Sequence, residues 1–208
     1  MITKQIFIEA PTGKLDTLIL YPENEQTVIG AVIVFHPDPL GGGNYNNKVV
    51  QIIAKTYSAK GYVVLCPNLH GVGASEGVFN KDDEASIFAD ALSIYKYAKI
   101  YLQHADRVDN IILVGFSFGT SVASRLAQAV EYRRLILVAP AVTRYEVKVT
   151  DVDKTTVIHS TGDEVIPIEA VYDWSKNNEI PIIVFVGISH FFHGRLLCLR
   201  DCLDHYCL

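Results

Sequence analysis

The stretch Asn110-Ile111-Ile112-Leu113-Val114-Gly115-Phe116-Ser117-Phe118-Gly119-Thr120 decides the fold. An apolar run enters Gly-Phe-Ser-Phe-Gly, and a helical pattern over about Thr120 to Val130 starts directly after it. Strand, sharp turn and helix in that order make the elbow on which a serine nucleophile is presented. So tight a turn strains the serine's backbone and crowds the chain on both sides, so the residues two before and two after must be very small. Gly115 and Gly119 meet that need. Ser117 then stands at a helix N-terminus, where the Phe118 amide points at a developing oxyanion and the helix dipole favours negative charge. The bland alternative is a glycine-bordered turn without chemistry, which partners elsewhere in the chain must decide.

Working outward, Val28 to Phe35 is continuously apolar, as a strand covered by helices on both faces should be. Shorter apolar strands are predicted at Tyr62 to Cys66, Asn110 to Val114, Leu135 to Val138, Thr155 to His159 and Ile182 to Val186. Helices are predicted between and after them, at Lys48 to Lys60, Asp83 to Tyr101, Thr120 to Val130, Ile168 to Asn177 and Phe191 to Tyr206. This alternation predicts an α/β fold with a doubly wound, mostly parallel sheet, right-handed crossovers and helices on both faces. Two opening strands, through Ile6 and Ile8 and over Leu15 to Leu20, turn at Pro11-Thr12-Gly13 and add an antiparallel edge. Neither repeat nor linker divides the chain, so one domain over residues 1–208 is expected. The segment Ala139 to Lys154 is too short for a separate lid, which leaves an open pocket or one covered only by loops.

Bulk properties agree with that architecture. The chain has 208 residues, 50% of them hydrophobic and 20% charged, enough for one large buried core. A net charge of -5 with interspersed signs gives no electrostatic reason for nucleic acid or an anionic membrane as partner, and points to a small molecule. The N-terminus lacks a signal-like apolar stretch and no run can span a bilayer, so a soluble cytoplasmic protein is expected, as monomer or homodimer. Cys198, Cys202 and Cys207 crowd the end with His205 among them, but without the paired short turns of zinc knuckles. Cys198 and Cys202 are spaced i, i+4 on an amphipathic pattern and read as helix packing, and Cys66 reads as buried.

A serine hydroxyl needs an imidazole to take its proton and a carboxylate to orient that imidazole. In a sheet of this kind the acid and then the base should follow the serine, at the carboxyl ends of strands. Asp163 in Thr161-Gly162-Asp163-Glu164-Val165-Ile166-Pro167 follows the strand ending at His159 and is preferred to Glu164. Asp151 and Asp153 precede that strand and belong at the wrong end. His190 lies just past Ile182 to Val186 and is preferred to His193, which a further helical turn should carry away. The second oxyanion donor should come from His36-Pro37-Asp38-Pro39-Leu40-Gly41-Gly42-Gly43. Both prolines lack an amide hydrogen, so the Asp38 amide is the candidate. Its glycines lack the lysine of a phosphate-binding loop and the spacing of a dinucleotide site.

With these residues assembled, the chain resembles the α/β-hydrolases, in particular the small, lidless bacterial group related to dienelactone hydrolases and short-chain acyl hydrolases. The marks are His36-Pro37 with Pro39-Leu40 and Gly42-Gly43, Asn47-Lys48-Val49-Val50, Gly71-Val72-Gly73-Ala74-Ser75-Glu76-Gly77, the elbow, Asp163 to Pro167, and His190-Phe191-Phe192-His193-Gly194. They span nearly the whole chain. His70 departs from the arginine common in similar proteins, and Ser160 from a common glycine. The resemblance implies Ser117, Asp163 and His190 as a triad, Asp38 and Phe118 as amide donors, and no cofactor or metal. The expected activity is hydrolysis of an ester, thioester or related acyl bond of a small substrate. Phe116, Phe118, Phe191 and Phe192 are read as partly apolar pocket walls or as core. Two other classes stay open at this point: a non-catalytic binding module on the same fold, and a thiol or metal role for the C-terminal cysteines.

Overall fold

The computed structural model describes residues 2–23, 28–103 and 110–206. Eight strands form one sheet in the order β1-β2-β4-β3-β5-β6-β7-β8. They are β1 (Ile2–Ala10), β2 (Gly13–Tyr21), β3 (Gly30–Phe35), β4 (Tyr62–Pro67), β5 (Ile111–Phe116), β6 (Arg134–Val138), β7 (Thr155–Ser160) and β8 (Ile182–Phe185). The first two pair antiparallel with each other, and β2 pairs antiparallel with β4. Every other pairing is parallel.

The central strands β3, β4 and β5 are buried along their whole length, which explains their unbroken apolar sequence. Side chains alternate between two cores all the same. Ile111 and Leu113 join the core under α2 (Glu84–Gln103), α3 (Gly119–Ala127) and α4 (Ile168–Asn178). Ile112, Val114 and Phe116 join the core under α1 (Lys48–Ala59) and α5 (Leu196–Tyr206). Among the described residues, no helix is long and apolar enough to cross a membrane.

One boundary differs from expectation by more than a turn. The last helix begins at Leu196 instead of Phe191. Phe192 and Gly194 adopt positive φ of 54° and 68°, which a right-handed helix excludes, so residues 191–195 form turns instead. The Cys198 and Cys202 side chains pack in the core shared with α1, half-buried and buried respectively. Cys207 lies outside the described residues.

Candidate active site

β5 ends at Phe116 and α3 begins at Gly119, leaving two residues to reverse the chain. Ser117 takes the whole strain of that reversal, with φ at 53°. A Cβ on Gly115 would sit 2.2 Å from the Gly119 carbonyl oxygen, and one on Gly119 would sit 2.3 Å from the Phe35 carbonyl oxygen. Both obstacles are backbone. The elbow is therefore closed on itself and wedged against the carboxyl end of β3, where the Asp38 loop departs.

That loop is tied at several points. The Asp38 side chain caps a 3-10 turn at Pro39–Gly41 by accepting the Leu40 N–H at 2.9 Å, and its carbonyl accepts the N–H groups of Gly41 and Gly43. Its other carboxylate oxygen accepts the Tyr145 hydroxyl proton at 3.0 Å, which joins the loop to the segment after β6. Burial, with that hydrogen bond behind it, pushes the Tyr145 phenol up to about 12. His36 beneath accepts the Leu69 N–H on Nε2, at 3.2 Å, so its proton sits on Nδ1 and is donated to the Pro37 carbonyl at 2.7 Å. Full burial lowers the His36 pKa to about 4, against the opposing pull of that carbonyl. Among the described residues, neither the Asp38 nor the Phe118 amide donates to a backbone acceptor.

The candidate acid and base come from the ends of β7 and β8. His190 Nε2 lies 3.0 Å from Ser117 Oγ, and His190 Nδ1 lies 2.7 Å from Asp163 Oδ2. The other Asp163 oxygen accepts the N–H groups of Val165 and Ile166, at 2.9 and 2.8 Å. Burial alone would raise the Asp163 carboxyl, but the His190 contact and the two amides outweigh it and hold the group below the ordinary carboxylate value. Glu164, the rival acid, reaches the His190 backbone instead, accepting its N–H at 3.0 Å. His193 is exposed, its ring 5.8 Å from that of Phe191 between centroids and its own N–H bound to Ser189 Oγ. All three side chains singled out in the sequence thus meet, across separations of 73 and 27 residues.

The aromatic neighbours are core first. Phe116 and Phe192 are buried on the α1/α5 side, Phe118 is buried on the other, and Phe191 alone is partly open. Phe116 lies 5.2 Å from the His190 ring, centroid to centroid, and so packs behind the base. A cavity of about 430 Å³ flanks the site, walled by Phe118, Tyr145, Ile87, Ser121, Arg125 and Arg144 among others. Neither Ser117 nor His190 lines it. The motif from Gly71 to Gly77 forms a turn-rich loop tied to β2, with the Asp16 amide donating to Ser75 Oγ at 2.9 Å and Asp16 Oδ2 accepting from Tyr45 and Asn68. His70 does not float free where an arginine is usual. Its Nδ1 pairs with the buried Asp90 of α2 at 2.7 Å.

Sequence reasoning missed Tyr145, the backbone role of Glu164 and the ring of His159. The first two act across 107 and 26 residues, which no local pattern reveals. His159 stands four residues before Asp163 at a strand's carboxyl end, and that spacing was a usable signal.

Comparison with known proteins agrees with this geometry. A sequence family described as serine aminopeptidase, S33, matches residues 26–158. The chain belongs to that family of α/β-hydrolases. A lid-free α/β serine hydrolase from Xanthomonas campestris superposes on this S33-family chain with a TM-score of 0.86 at 31% identity, covering 98% of this chain and 92% of that one. An α/β serine hydrolase homologue from Coxiella burnetii gives 0.86 and 31%, over 100% and 99%. An uncharacterized protein of Rickettsia prowazekii (strain Madrid E) is 31% identical over 139 residues, 66% of this chain. The chain spans 56% of that relative's length.

Proposed function

We propose that this S33-family hydrolase cleaves an ester, thioester or related acyl bond of a small molecule through an acyl-enzyme on Ser117. The observation that supports it most is the unbroken chain of contacts from Ser117 Oγ through His190 to Asp163. In this reading Ser117 Oγ attacks the carbonyl carbon while His190 Nε2 takes its proton. Asp163 holds the Nδ1–H tautomer and stabilises the imidazolium that forms. The amides of Asp38 and Phe118 receive the oxyanion. His190 then returns the proton to the leaving group, the acyl–serine ester remains, and water activated by the same imidazole releases the acid and restores Ser117. These steps call on no cofactor.

The flanking cavity gives room for the part of the substrate beyond the reacting carbonyl. Charged groups line its walls beside Ile87, Phe118 and Val122, which favours a polar or charged tail over a long plain alkyl chain. The first test is labelling with a fluorophosphonate. A single adduct on Ser117, absent from Ser117→Ala, is expected; no adduct, or an equal adduct in the variant, ends the proposal. A panel of acetyl, butyryl and octanoyl esters and thioesters, each with neutral or charged leaving groups, then ranks substrates. Fastest turnover of the octanoyl members would count against the polar tail.

A further inference from the structure

His159 is the last-but-one residue of β7 and is completely buried. Its Nε2 lies 3.0 Å from the Ile166 carbonyl oxygen. A carbonyl can only accept, so the proton must sit on Nε2. That leaves Nδ1 bare, and this atom is buried with no hydrogen-bond partner among the described residues. It stands 3.7 Å from Asp163 Oδ2, the oxygen that receives His190 Nδ1–H. An unsatisfied buried polar atom is costly and rare, so its place beside the acid calls for a reason.

We propose that His159 is a positioning residue for the acid, which pins the 163–166 turn through Ile166 and sets a bare nitrogen opposite Asp163 Oδ2. The inference rests on the Ser117–His190–Asp163 reading above. The pin is direct. Ile166 gives its N–H to Asp163 Oδ1 and takes the His159 Nε2–H on its carbonyl, so one peptide segment is held from both sides. The bare nitrogen acts electrostatically. A lone pair facing Oδ2 offers that oxygen no competing donor, so His190 Nδ1–H is its partner from this side. It also adds negative potential next to the His190–Asp163 pair, which favours the proton on His190. The titratable groups that face His159 are Asp163 and His190, while Glu164 bonds the His190 backbone instead. Burial lowers the His159 pKa, in keeping with a ring that stays neutral beside a carboxylate.

Two variants of the full chain separate the pin from the lone pair. His159→Gln can keep an N–H on the Ile166 carbonyl but removes the bare nitrogen, whereas His159→Phe removes both. Phosphonylation of Ser117 by a fluorophosphonate and turnover of p-nitrophenyl acetate are followed from pH 4 to 9, beside thermal melts. His159→Phe is expected to lose about tenfold to a hundredfold in kcat with KM little changed, as small misplacements of a reacting group do. His159→Gln should recover to within about fivefold of the parent. In both, the acid limb of kcat/KM should move to lower pH by about half a unit. A folded His159→Phe with parental rate and parental acid limb overturns the inference. If His159→Phe does not fold, the acid limb of His159→Gln decides alone, and an unmoved limb overturns it. An unlabelled Ser117 in the parent protein is the separate failure of the triad reading.

Discussion

Ser117 and His190 stand 3.0 Å apart, yet different forces hold them there. The elbow is steric: five consecutive residues, two glycines and a serine at positive φ, with backbone atoms leaving no space for any alternative. The acid and base loops are hydrogen-bonded: Asp163 is fixed by two amides, His190 by Asp163 and Glu164, and the turn between by the His159 ring. A steric device is written in contiguous sequence and breaks all at once. A hydrogen-bonded one is assembled from distant residues, and the cost of a loss depends on which bond is removed.

The largest effect should come on the hydrogen-bonded side. Asp163→Asn is expected to lower kcat by about 10⁴ with little change in melting temperature, because the amide favours the wrong His190 tautomer. A loss under tenfold in steady-state ester turnover would move the acid role to another group. Next comes pH. His36 has a folded value of about 4 against an ordinary 6.5, so between the two the unfolded chain binds a proton that the folded chain refuses. Stability from this group is nearly complete above about pH 7, and about 3 kcal/mol should be lost as pH falls to 4, the loss levelling off within about one unit below that. Denaturant titrations should show that slope, and His36→Gln should flatten it.

On the steric side, Gly119→Ala must push its methyl into the Phe35 carbonyl, which cannot rotate away. A loss of about 2–3 kcal/mol in stability is expected, together with most of the fluorophosphonate labelling. Retention of both would show that β3 can retreat from the elbow. The smallest effect falls on Glu164→Ala, which removes one acceptor from the His190 amide. A loss near 1 kcal/mol, about fivefold in kcat with KM unchanged, is expected from steady-state kinetics.

The same contrast explains what could be read in advance. The mostly parallel sheet with helices on both faces follows from apolar runs that alternate with helical periods, and the strand ends came within about two residues for β4 to β8, whereas the order of the strands across the sheet is fixed by pairings between distant segments. The elbow was legible because its constraint is local. Asp163 and His190 were expected beside Ser117 from their places past strand ends and do meet there, although the helical turn expected to carry His193 away is absent, since α5 begins only at Leu196. The Phe192 turn was not legible, because nothing in Phe191 to Gly194 announces a positive φ at a phenylalanine. Nor was Tyr145, where geometry across the fold chooses the partner, whereas His159, four residues before Asp163, carries a local signal in its spacing. Of the two readings open for the four phenylalanines, core holds for Phe116 and Phe192, both packed under α5.

Tyr145 binds the segment after β6 to Asp38, so one wall of the flanking cavity and the loop that carries the Asp38 amide are tied to each other. A change at either end of that brace should therefore be felt at the other. The tyrosine thus acts as a crossbeam, through which the shape of the cavity and the set of the loop become one property and not two.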